Sequence, residues 1–81
     1  MGAFLLRNLD GYTRDERREA INQVIISKRD RTILELRLLD GLTYSEISLE
    51  PGVCLEVRQI GKILNRGCAI VGDYLERRKN T

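Results

Sequence analysis

The chain has 81 residues, with 14 Lys/Arg against 12 Asp/Glu, for a formal net charge of +2. That length suits one domain with a small core, and 42% hydrophobic with 32% charged residues is the balance of a globular chain, not a disordered one. The lack of histidine and tryptophan argues against Ser-His or Cys-His catalysis, a histidine-based metal site and an aromatic platform for single strands.

Nothing in the sequence approaches the roughly 20 apolar residues that span a bilayer, and Phe4, Leu5 and Leu6 are too short a core for a secretory leader. The expected compartment is the cytoplasm, with no membrane partner. Cys54 and Cys68 match no zinc spacing and read as reduced thiols. No metal, no cofactor and no enzymatic activity is expected.

In chain order, residues 1–12 form an N-terminal extension, with one or two helical turns over 3–9 ending at Gly11. Thr13 followed by Glu16 then marks a helix start. The hydroxyl accepts from a free N–H of the first turn and the carboxylate reaches back to the cap. This helix is predicted over 14–26, with Ala20, Ile21, Val24 and Ile25 as its apolar stripe. Ser27 and Asp30 open a second helix over 28–40. Its Ile33, Leu34, Leu36, Leu38 and Leu39 make it the expected centre of the core.

Thr43 and Glu46 start a third helix, with Leu42 placed to staple onto Ile47 and Gly41 suited to ending the helix before it. It should stop near residue 49, because the position before Pro51 disfavours helical backbone. A fourth helix is predicted from near Leu55, with Val57, Ile60, Leu64, Val71 and Leu75 on one stripe and a bend or stop near Gly67. No period-2 alternation appears, so the fold class is all-α, a domain of four to five helices.

Residues 43–66 have the form of a helix-turn-helix. Gly52 permits a left-handed turn, Val53 plugs into the core, and the second helix of the pair faces inward through Val57 and Ile60. Its outer face carries Arg58, Lys62 and Arg66 four residues apart, beside Gln59 and Asn65. Arginine can pair with guanine and glutamine or asparagine with adenine, while lysine and arginine meet phosphates. The charge distribution agrees. Residues 1–56 hold eight basic and ten acidic side chains, and residues 57–81 hold six basic and two acidic. A basic final third suggests a polyanion contact at one end. Arg77, Arg78 and Lys79 read as a solvated tail within the C-terminal segment 67–79.

The run from Ile26 to Ile47 resembles the first half of region 4 in bacterial RNA polymerase sigma factors. Arg31, Ile33, Leu34, Leu36, Arg37, Gly41, Leu42, Thr43, Glu46 and Ile47 fall on the family pattern. Val57-Arg58-Gln59-Ile60 is similar to the core of the family's recognition helix. The resemblance implies a tetrahelical helix-turn-helix domain that reads promoter DNA in the major groove and touches RNA polymerase. It implies Glu56, Arg58, Gln59 and Lys62 at bases or nearby phosphates, and Arg37, Thr43 and Tyr44 at the backbone. The chain departs from the family at Pro51, at one residue missing between Val53 and Val57, at Cys54 in place of a capping hydroxyl, and at Gly61 and Gly67.

The expected function is a DNA-binding transcription regulator or sigma region 4-like module acting on double-stranded DNA. The alternative is an interaction module of the same fold that binds RNA polymerase or another regulator. Ile70, Val71, Tyr74 and Leu75 offer a seam for a homodimer or a partner.

Overall fold

The computed structural model describes Leu9 and residues 11–79, so the expectation for 3–9 lies, apart from Leu9, outside the described residues. The described residues are mostly helical and include no strand. Four helices follow in order: α1 (Arg14–Val24), α2 (Lys28–Leu38), α3 (Tyr44–Ser48) and α4 (Val57–Lys79). The fourth packs against each of the other three.

The helix starts form as their side chains require. Thr13 and Glu16 close a reciprocal capping box on α1, and Thr43 and Glu46 close another on α3. Ser27 accepts from the Asp30 backbone N–H at the start of α2 without the return bond; Asp is one methylene shorter than Glu. Gly41 ends the turn after α2 with φ 72°, and Leu42 N–H donates to the Leu36 carbonyl at 3.0 Å. α1 and α2 each stop two residues short of the predicted ends.

The core gathers Ala20, Ile21 and Ile25 beside α2's Ile33, Leu34 and Leu38. Ile47, Val53, Ile60, Leu64, Cys68, Val71 and Leu75 close it, with Leu9 sealing one end. Leu36 and Leu39 are half-buried, not central. Val57 is 43% exposed, a correction to the predicted inward face. The buried line of α4 runs through Ile60, Leu64, Gly67, Cys68, Val71 and Leu75, and Val57 falls at its outer end.

Instead of bending or stopping at Gly67, α4 is one uninterrupted helix from 57 to 79. Gly67 is where α4 crosses α2: a Cβ there would lie 2.6 and 2.8 Å from the two methyls of Leu34. Glycine at this position lets the two backbones approach. At the far end, Arg78 pairs with Glu19 of α1 and lies over the Tyr74 ring, and Arg77 pairs with Asp73 at 3.2 Å. Arg78 thus ties the end of α4 to α1, while Arg77 pairs within α4, so the segment is an ordered helix end and not a loose tail.

The two thiols differ. Cys54 is exposed and Cys68 is buried. Burial pushes the Cys68 thiol up to about 11, against a smaller downward pull from Arg37. A maleimide or aromatic disulfide reagent at pH 8 is expected to modify one thiol of the folded chain at once, and the second only with global unfolding. Mass mapping of two equally fast adducts would contradict this packing.

Candidate nucleic-acid interface

The first turn of α4 sets the position of every candidate base contact. Between α3 and α4 run the eight residues Leu49 to Glu56, longer than the 3–4-residue turn of a tight helix-turn-helix pair. The segment begins by tightening α3, with Leu49 N–H to the Glu46 carbonyl and Glu50 N–H to the Ile47 carbonyl, and Val53 N–H then donates to the Glu50 carbonyl. Gly52 takes φ 89° and Cys54 takes φ 51°. Val53, between these two left-handed residues, is driven into the core. The Cys54 conformation delays α4 to Val57, two residues after the predicted start.

A non-glycine residue in the left-handed region costs about 1–2 kcal/mol. Cys54→Gly removes that strain but loosens the unfolded chain by about 0.5–1 kcal/mol. The expected result is a net gain on the order of 0.5–1 kcal/mol, read as a rise of a few degrees in Tm by calorimetry. A lower Tm would show that the side chain, and not the backbone, matters here.

Cys54 does not cap α4. Glu56 precedes the helix and its carbonyl accepts from Ile60 N–H at 3.0 Å, while Gln59 Oε1 accepts from Glu56 N–H at 3.1 Å. Gln59 is therefore half of a cap. A two-pronged contact with adenine needs both ends of its amide, so reading a base that way means releasing the helix start. Glu56 is exposed and stands just before the first turn, where the helix dipole favours a negative charge.

Arg58, Lys62, Asn65 and Arg66 all lie on the exposed face of α4, opposite the buried line. Among the described residues no carboxylate lies within ion-pair distance of Arg58, Lys62 or Arg66. Three cations and one amide thus face solvent together, uncommitted to the fold.

The three residues predicted at the DNA backbone are committed to the fold. Arg37 is half-buried, donates to the Leu42 carbonyl at 2.9 Å and lies 5.4 Å from the centre of the Tyr44 ring. The Tyr44 ring covers Gly61, where a Cβ would sit 3.7 Å away. The layer Arg37–Tyr44–Gly61 joins the end of α2 to α3 and α4. Thr43 is exposed and its oxygen caps α3, which leaves its hydroxyl hydrogen to offer. The sequence puts all nine candidates in one region; among the described residues Arg58, Lys62, Asn65 and Arg66 offer exposed side chains with no partner, while Glu56 is exposed but negative and Thr43 is used in part by its cap.

A second feature escaped the sequence reading. Ile25, Leu34, Ile63, Gly67 and Ile70 line a cavity of about 90 Å³ beside Lys62, Arg66 and Asp30. In its lining Ile70 is 42% exposed. Outside the lining, Ile26 in the α1–α2 connection is 92% exposed, the third of the aliphatic run 24–26 and the one that does not enter the core. Of the four seam residues, Val71 and Leu75 are buried in the chain's own core, which leaves Ile70 and half-buried Tyr74 at the surface.

A scan against protein-family models and searches of curated proteins and of solved structures returned no match. No helix among the described residues is long and apolar enough to cross a membrane.

Proposed function

We propose that the chain binds double-stranded DNA through the exposed face of α4, as a helix-turn-helix module related to sigma region 4 and serving transcription. The observation that carries this reading is the set of Arg58, Lys62 and Arg66, without ion-pair partners among the described residues and on one exposed helix face with Asn65. Paired surface charges need no ligand. Three unpaired cations four residues apart repel one another mildly, and a phosphate backbone relieves that repulsion. Arg58 and Asn65 supply the groups that read base edges, and Lys62 and Arg66 those that meet phosphates.

Anisotropy of a labelled duplex across a salt series, with no other protein present, tests this. Saturable binding whose log affinity falls linearly with log salt supports it. Absence of binding at low salt sinks it.

The apolar cavity favours a second reading. Ile63 and Ile70 flank the same basic face, so an acidic, partly apolar surface of RNA polymerase or of another regulator would meet both at once. Substituting Ile70 with Ser would weaken such a partner and leave duplex binding intact. Self-association would use the same patch, and sedimentation of the wild type against this variant separates it from the partner.

A further inference from the structure

Away from the α4 face, a cleft of about 450 Å³ opens between α1 and the end of α2, lined by Arg17, Arg37, Leu38, Asp40 and Gly41. Two guanidinium groups, those of Arg17 and Arg37, line it, and Arg14 reaches the same end of α2 from outside the lining. Arg14 donates to the Leu39 carbonyl at 2.6 Å and pairs with the Asp40 carboxylate at 3.3 Å. Arg37 donates to the Leu42 carbonyl. Between them they answer the carbonyl end of α2 and the one carboxylate lining the cleft.

Arg17 is different. It is half-buried, and its Nε, like that of Arg31 elsewhere on the surface, is buried with no hydrogen-bond acceptor among the described residues; Arg17 is the one of the two that lines this cleft. No carboxylate among the described residues pairs with it. A buried guanidinium N–H without an acceptor is costly, and natural structures seldom keep one idle. The local charge is positive even after Asp40 is counted. The Arg17 fork, with the Arg37 nitrogens that the Leu42 carbonyl does not engage, offers N–H donors to the paired oxygens of an oxyanion.

We infer that this cleft binds a phosphate-type oxyanion, with Arg17 as its principal ligand and Arg37 as the second. The inference does not depend on duplex binding by α4. The group could belong to a DNA backbone running past α3 or to a small phosphorylated ligand, and both share this chemistry.

The test is a ¹H–¹⁵N titration of the full chain with sodium pyrophosphate at constant ionic strength. The guanidinium Nε–H resonances of Arg17 and Arg37 are followed. The expected result is a saturable shift of both in the wild type and in Arg58→Ala/Lys62→Ala; read at Arg37 Nε–H and the backbone amides of the cleft, the affinity falls at least tenfold in Arg17→Gln and is partly restored in Arg17→Lys. A linear, unsaturable drift, or equal affinity in Arg17→Gln, overturns the site. The duplex arm identifies the source. If the phosphate is a DNA phosphodiester, Arg17→Gln makes the salt slope shallower by about one. If the group is a free phosphate, duplex binding is unchanged while the pyrophosphate shift is lost. A wild type that takes pyrophosphate but no duplex fails the α4 reading and leaves this one standing.

Discussion

Gly67→Ala is expected to destabilise the domain by up to about 2 kcal/mol, although alanine is the better helix former. The added Cβ would lie 2.6 and 2.8 Å from the Leu34 methyls and 3.1 Å from its Cγ. Rotating one methyl away does not suffice, since both methyls and the branch carbon are close and Leu34 is fully buried. Overpacking of this kind costs about 1–3 kcal/mol, against roughly 1 kcal/mol recovered in helix propensity. Thermal unfolding should fall by roughly 4–8 °C for each kcal/mol lost.

Gly61→Ala is the internal control. It meets only the face of Tyr44 at ordinary contact distance and should stabilise by about 0.5–1 kcal/mol. The two glycines lie in one helix and are predicted to respond with opposite signs. A double-mutant cycle sharpens the point. Leu34→Ala alone costs about 2–5 kcal/mol, but combined with Gly67→Ala the loss should be well short of additive. Additive losses would show that the two side chains do not share the space.

Arg58→Ala/Lys62→Ala is expected to leave the fold intact and remove most of the duplex affinity. Both side chains are exposed and neither has an ion-pair partner among the described residues, so truncation costs the fold little. A base contact is worth about 1–3 kcal/mol and a phosphate contact lowers the salt slope by about one. The pair together should lose about 2–4 kcal/mol of binding, some 30- to 1000-fold, with a visibly shallower salt dependence. Arg18→Ala/Arg29→Ala, which removes equal charge elsewhere, should lose far less. Equal losses from both pairs would mean diffuse charge attraction and no defined face.

Local chemistry made much of this architecture readable. Thr13, Ser27 and Thr43 mark the three helix starts because a capping hydroxyl acts within one turn of chain. Gly41 and Gly52 mark their turns because left-handed backbone favours a residue with no Cβ. What the sequence hid depends on distant neighbours. Gly67 looks like a weak point when helix propensity is the only guide, and only the position of Leu34 shows it to be a crossing. Val57 fits the apolar period, but a late start to α4 puts it at the edge. That late start comes from Cys54, whose positive φ no propensity rule anticipates. Arg37 and Gln59 look like free hydrogen-bonding groups in sequence and are used by the turn after α2 and the cap of α4. Arg17 looks like one of several surface cations on α1, until the cleft beside Arg37 appears.

An NMR titration of the full chain with a short random-sequence duplex at low salt, repeated at higher salt, decides whether the α4 face is the nucleic-acid surface proposed above. Saturable amide shifts concentrated over residues 57–66 and at Thr43, shrinking as salt rises, are expected. Shifts confined to α1, or no saturable shift at the lowest salt, would contradict that proposal.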